Sequence, residues 1–227
     1  MIPPLIVEES IARGIGIIAI TDHNATANIQ AVQKAAEGKP LLVLPGMELQ
    51  TSEEVHSLCI FEKLAQIEEF QKIISHALPH ISNQPAHFGE QFVVDETGEF
   101  IRREEQLLIV SADLTLSQAW KYVIELGGLF IPAHVNRKAF GLLENLGFVP
   151  QDIPLHTLEI SRHLPANEAT IKFPQLSGHT LIKGGDAHRL EELGGFNEFW
   201  LASPSFNEIK AALKGLDGRK VIIRDSI

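Results

Sequence analysis

Short apolar runs, many of them β-branched, alternate with amphipathic stretches from one end of the chain to the other, and this alternation restricts the fold more than any single motif does. Repeated βα units set strands side by side under covering helices, which predicts one α/β domain over residues 1–227 built on a mostly parallel sheet. The runs GIGIIAIT (14–21), LLVLPG (41–46), EVHSLCIF (54–61), LFIPA (129–133), TLEI (157–160) and TLIKG (180–184) read as strands, with shorter ones near 198–201 and 221–223. Near-continuous apolarity, as in residues 14–21, suits a strand covered on both faces. Pro3 and Pro4 open a helix that stops at Gly14, and Asn28 is placed to cap another running to Ala36. Leu64, Ile67, Phe70, Ile74 and Ala77 fall on one face of a helix over 63–78, and further helices are expected near 117–126, 139–146, 166–173 and 206–213. Between Pro79 and Phe100 the pattern loosens, and FVVD, Thr97-Gly98 and EFI suggest a small hairpin or insertion at about 79–104. A barrel and an open doubly wound sheet satisfy the periodicity equally.

Composition narrows the partners. With 44% hydrophobic residues the chain can bury a sizeable core. Nineteen basic against 29 acidic side chains give a net charge of −10, which disfavours long nucleic acid as a partner. A lone cysteine, Cys59, leaves no disulfide framework, no run of about 18 apolar residues spans a bilayer, and residues 1–5 lack the basic flank of a signal peptide. The expectation is a cytoplasmic protein with no membrane partner and an oligomeric state left open. Cys59 reads as an inert thiol in a buried strand, and Trp120 and Trp200, in apolar runs, as core residues.

Ten histidines need an explanation. Groups able to bind metal recur at the downstream ends of the apolar runs: Asp22 and His23 after IIAIT, Glu48 after LLVLPGM, His134 after LFIPA, Asp186 and His188 after TLIKGG. His56 lies within EVHSLCIF. In α/β folds that end of the sheet is where sites are built. Taken singly, Glu48 or Asp186 reads as a cap and each histidine as a hydrogen-bonded core residue. Together on one rim they favour a cluster of imidazoles and carboxylates, a ligand set suited to Zn, Mn or Fe. His76, His80, His87, His156, His163 and His179 lack that placement and read as surface or loop residues.

In order and spacing, TDHN (21–24), GMELQT (46–51), EVHSLCIF (54–61), PAHVNR (132–137) and GGDAHR (184–189) resemble the successive motifs of the polymerase-and-histidinol-phosphatase (PHP) family. The segment FWLASPSFNEIKAALKG (199–215) resembles that family's closing strand and helix. The resemblance implies a distorted (β/α)7 TIM-like barrel carrying up to three divalent cations, Zn, Mn or Fe, at its C-terminal rim. It implies a phosphatase- or exonuclease-like enzyme in which metal-bound water attacks a nucleotide, a short oligonucleotide or another small phosphoester. By the same resemblance Glu48 bridges two metals, His56 and His134 complete one of them, and Asp186 joins Glu48 on the first. His23 and His188 hold a third, and Asp22 orients its neighbours. Glu48, His134 and Asp186 would then carry catalysis, and Arg137 and Arg189, just past motif histidines, are candidates to hold the substrate phosphate.

The resemblance departs at the front. Family members open with a strand bearing a His-x-His pair, whereas no histidine precedes Asp22, so the chain resembles a member without its first strand. Fewer bound metals follow, with an unpaired barrel edge that costs stability or invites association. A start placed too far downstream is the preferred explanation, because the remaining ligand positions are kept. The alternatives are a metal-binding or interaction protein of impaired activity, and a nuclease acting on longer single strands, which would need a basic groove.

Overall fold

In the computed structural model, which describes residues 1–224, strands and helices alternate as the periodicity predicts. The first half comprises α1 (Pro3–Ala12), β1 (Ile17–Ile20), α2 (Ile29–Ala35), β2 (Leu42–Gln50), β3 (His56–Ile60) and α3 (Leu64–Ala77). A short α4 (Pro85–Phe88) leads into the hairpin β4 (Phe92–Val94) and β5 (Phe100–Arg103). The second half runs α5 (Leu116–Glu125), β6 (Leu129–Pro132), α6 (Leu142–Leu146), β7 (Thr157–Ser161), α7 (Ala166–Lys172) and β8 (Thr180–Gly184). It closes with β9 (Asn197–Trp200), α8 (Phe206–Leu213) and β10 (Lys220–Ile223). No helix among the described residues is long and apolar enough to cross a membrane.

The main sheet has the order β1-β2-β3-β6 and is mixed, not mostly parallel. β1 pairs with β2 in parallel, but β3 runs antiparallel to both β2 and β6. The cause is the link between β2 and β3: residues 51–55 are too few for a crossover and close as a turn, with Glu54 at φ 59° and Thr51 N–H bonded to Val55 O at 3.0 Å. β7 and β8 form a separate parallel pair and β9 and β10 an antiparallel one, so among the described residues the ladders do not close into a barrel. β1 is an edge strand, and its four apolar residues are half-buried where residues 14–21 predict a longer strand covered on both faces. On β8, the Asn197 amide accepts from Lys183 N–H at 2.8 Å and donates to Lys183 O at 2.9 Å, a side chain standing where a neighbouring strand would pair.

Pleating sorts each buried strand into two faces. Met47 and Leu49 of β2, Cys59 of β3, Phe130 of β6, and Leu158 and Ile160 of β7 pack into the principal core with Phe61, Phe70 and Ile74. The alternate residues, among them Leu44, Glu48, Leu58, Ile60, Ile131, Glu159 and Ile182, line an interior cavity of about 1110 Å³. Along that inner face apolar residues give way to polar ones: Leu44 precedes Glu48 on β2, and β3, running the other way, starts at His56 and continues to Leu58 and Ile60.

Two local expectations change. Asn28 makes no side-chain cap on α2; it donates to Asp22 Oδ2 at 3.2 Å and Phe92 O at 3.1 Å and accepts from Val94 N–H at 3.1 Å, tying the β4–β5 hairpin to the end of β1. Trp200 is not core. It is 52% exposed on the antiparallel β9–β10 pair, under the Lys220 ammonium 4.0 Å from its ring centroid. Trp120 is partly buried against the principal core.

Candidate metal centre

Strand register assembles the site. The parallel ladder that pairs Ile20 with Pro45 continues to an isolated bridge between His23 and Glu48. Asn24 secures this extension: its backbone sits at φ 51°, a left-handed angle that asparagine tolerates. Its amide spans Leu108 O, Val110 O and Gln50 N–H at 2.7, 2.8 and 3.1 Å. In the antiparallel ladder Gln50 faces His56, which puts His56 diagonally beside Glu48 on the inner face. His56 therefore reaches the rim from the start of its strand, because β3 is antiparallel. One step beyond β6, Ala133 N–H bonds His56 O at 2.9 Å and His134 follows at φ 30°.

Three imidazoles thus converge on one carboxylate. Glu48 Oε1 lies 3.2 Å from His56 Nδ1 and 3.2 Å from His134 Nε2, and Oε2 lies 3.4 Å from His23 Nδ1. Glu48, His56 and His134 are buried, and the His23 side chain is about one quarter exposed toward the cavity. Among the described residues, the group whose ligand atoms all lie within 4.8 Å of one another is His23, Glu48 and His56. Asp186 and His188 stand outside it. Asp186 is ion-paired through Oδ2 with Arg137, and its Oδ1 lies 3.6 Å from His188 Nδ1. His188 is mostly exposed, with its ring centroid 6.1 Å from that of His23. Asp22 accepts the Asn28 amide below the rim, and Arg189 is exposed.

Protonation follows from this packing. Burial alone would raise the Glu48 carboxyl, but hydrogen bonds from His134 and His56 and the nearby imidazoles hold it far below the ordinary range. Burial pushes His23 down against the pull of Glu48, keeping it neutral with a lone pair to offer. Burial raises Asp22, with the Asn28 amide and His23 opposing it.

The donors fit a divalent cation. Gln50 gives its Nε2–H to Ser111 Oγ at 2.9 Å and offers Oε1 to His56 Nε2 at 3.3 Å. With its proton on Nδ1, His56 donates to the Glu48 carboxylate 3.2 Å away; in the other tautomer, which gives Nε2–H to Gln50, the Nδ1 lone pair and the carboxylate are two acceptors facing one another. His134 Nδ1 is buried without a hydrogen-bond partner. Acceptors turned on one another and an orphaned ring nitrogen cost about 1–3 kcal/mol each unless a cation or proton sits among them. A cation between Glu48 and the ring nitrogens that face it would relieve the facing acceptors with neutral imidazoles, while His134 Nδ1 points away from Glu48.

Several groups here have no equivalent among the sequence candidates. Glu159, buried on β7, accepts His134 N–H through Oε1 at 3.1 Å. Burial, with Glu48 and Asp186 nearby, pushes its carboxyl up to about 8, against the His134 amide and Arg137. The sequence signal was an acid in the middle of the apolar run TLEI. Phe140 stacks flat on His56 with ring centroids 4.4 Å apart, a contact with no motif to announce it.

No protein-family model matches the chain. The uncharacterized protein YqxK of Bacillus subtilis is 26% identical over 242 residues, covering 96% of this chain and 56% of that protein. The fold superposes on the lesion-specific endonuclease Q of Pyrococcus furiosus with a TM-score of 0.72 at 20% identity, over 97% of this chain and 53% of that one. An endonuclease Q complex with a 27-mer duplex substrate bearing an abasic lesion at the active site matches with a TM-score of 0.69 at 20% identity. A Bacteroides vulgatus two-domain protein containing a predicted PHP-like metal-dependent phosphoesterase gives a TM-score of 0.56 at 16% identity, over 97% of this chain and 59% of that one. The chain spans about half the length of the first relatives it matches. The chain thus shares its fold with solved structures that include a lesion-specific endonuclease and a protein containing a predicted PHP-like metal-dependent phosphoesterase.

Proposed function

We propose that the chain is a metal-dependent phosphoesterase that hydrolyses a nucleotide, a short oligonucleotide or another small phosphoester. The observation that carries this reading is the convergence of His23, His56 and His134 on Glu48, with His23 and Glu48 lining a large cavity. In this reading the strands belong to a distorted seven-unit barrel. Glu48, His56 and His134 hold one divalent cation, Zn, Mn or Fe, and Asp186, with His23 and His188, serves further ones. Bound there, cations would lower the pKa of water and neutralise charge developing on the phosphoryl oxygens. Gln50 fixes the His56 ring, Asn28 holds Asp22, and the buried β-strand floor keeps bulk water from all but the open side.

Arg137 is the residue proposed to grip phosphate. Its guanidinium already pairs with Asp186 at the rim, so a substrate phosphate and Asp186 compete for one bidentate donor. The likeness to endonuclease Q, which binds a duplex with an abasic lesion, supports a second reading in which the substrate is a nucleic acid strand. The net charge of −10 weighs toward the small substrate.

The test is hydrolysis of a phosphomonoester, a phosphodiester and a duplex containing an abasic site, each with Mn²⁺ or Zn²⁺, by the chain and its His134→Ala variant. Cleavage of a small ester by the wild type but not the variant is expected. Cleavage of the duplex alone would move the assignment to the nuclease, and no cleavage of any substrate at saturating metal would contradict the enzyme reading.

A further inference from the structure

β7 turns an unusual face inward. Leu158 and Ile160 are 0% exposed in the core, whereas Thr157, Glu159 and Ser161, also buried, occupy the alternate positions. Buried polar groups persist where they are hydrogen-bonded, and those of Glu159 and Ser161 go to the turn that carries His134. Glu159 Oε1 accepts His134 N–H at 3.1 Å and the Glu159 carbonyl accepts Val135 N–H at 2.8 Å. Two residues along, Asn136 Nδ2 donates to Ser161 Oγ at 3.1 Å, and Ser161 N–H donates back to Asn136 Oδ1 at 2.8 Å.

That turn needs holding. His134 sits at φ 30°, a left-handed conformation that a side chain disfavours and that persists where the surroundings over-determine it. The Glu159 carboxyl is in turn confined from the other side: a Cβ on Gly184 of β8 would fall 2.2 Å from Glu159 Cδ and Oε1. Glycine at 184 makes the space in which Glu159 reaches the His134 amide.

We infer that Glu159 is the positioning residue of the metal centre: by accepting the His134 amide it fixes the left-handed peptide that aims the His134 imidazole at Glu48. The inference rests on the metal-centre reading proposed above. Its chemistry requires an acceptor oxygen at the reach of a glutamate side chain. Glutamine supplies the same oxygen at the same reach, aspartate withdraws it by one methylene, and alanine removes it.

The experiment titrates Co²⁺ alone into the metal-free wild type, Glu159→Gln, Glu159→Asp and Glu159→Ala, reading affinity together with the visible ligand-field bands. Thermal melts of the metal-free forms run alongside. Glutamine should bind Co²⁺ close to wild type with the same bands. Aspartate and alanine should bind about 10- to 100-fold more weakly, the usual effect of losing a group that orients a metal ligand, with altered bands. Should alanine fail to fold, the aspartate variant, which keeps a polar group in the space above Gly184, carries the test. Wild-type affinity and bands in the aspartate variant would overturn the inference, as would a glutamine variant as impaired as aspartate. A wild type that binds no Co²⁺ would overturn the metal-centre reading itself, a result distinct from either.

Discussion

Replacing Glu159 by glutamine should remove a specific pH dependence from the stability of the metal-free protein. In the folded chain its carboxyl is pushed up to about 8 by burial and by Glu48 and Asp186, against an ordinary value of 4.5 once unfolded. Below 4.5 both states hold the proton. Between 4.5 and 8 the folded state keeps a proton that the unfolded state has released, so stability falls as pH rises through this window and levels off above it. At about 1.4 kcal/mol per unit, the full window is worth at most about 5 kcal/mol, and the part between about pH 5.5 and pH 8 at most about 3 kcal/mol. Glu48, held low, exerts its effect below this range, where stability is lost as pH falls. His23, also lowered, adds stability as pH rises toward 6.5, but that contribution is common to wild type and variant and cancels in their difference. The assay is urea unfolding of chelator-treated wild type and Glu159→Gln at the two pH values. The wild type should lose ground to the variant by roughly 1–3 kcal/mol on going to the higher pH. A difference between the two proteins that stays constant with pH would mean that Glu159 does not hold its proton in the folded chain.

Four further outcomes follow from the same geometry. His134→Ala should lose bound metal and hydrolysis together, and activity retained at full metal loading would sink the ligand assignment. Arg137→Ala breaks the partly exposed pair with Asp186 and should change stability by less than about 1 kcal/mol, while raising KM for a phosphoester more than it lowers kcat; an unchanged KM removes Arg137 from the phosphate site. Phe70→Ala deletes a fully buried ring packed 5.7 Å from Phe61, and chemical denaturation should show a loss of about 3–5 kcal/mol; a loss under 1 kcal/mol would mean that the core is not packed around it. Cys59, fully buried with its thiol pushed up by burial, should resist thiol reagents in the native protein and react on unfolding; rapid labelling of the native chain would contradict its placement in β3.

Much of the fold could be read from runs and punctuation. Leu64, Ile67, Phe70 and Ile74 marked the buried face of α3, and Pro3, Pro4 and Gly14 bracketed α1, since helix periodicity and breakers are local properties. Strand direction was not legible. EVHSLCIF has the same composition in either sense, and the five-residue link at 51–55 decides that β3 runs antiparallel and delivers His56 from its first residue. The candidate ligands stood out because polar groups at the ends of apolar runs are conspicuous. Glu159, Gln50 and Asn28 did not, because their roles depend on which face of a strand or loop turns inward. Trp200 misled for the complementary reason: an apolar run on an exposed two-stranded pair looks like one in the core.

The imidazoles around Glu48 are proposed to hold a divalent cation. The most direct test is the metal content of the 227-residue chain purified without chelator, measured by inductively coupled plasma mass spectrometry beside Glu48→Ala. At least about one equivalent of Zn, Mn or Fe is expected per wild-type chain, lost in the variant. A wild type free of transition metal, or a variant that retains as much as the wild type, would contradict the proposal.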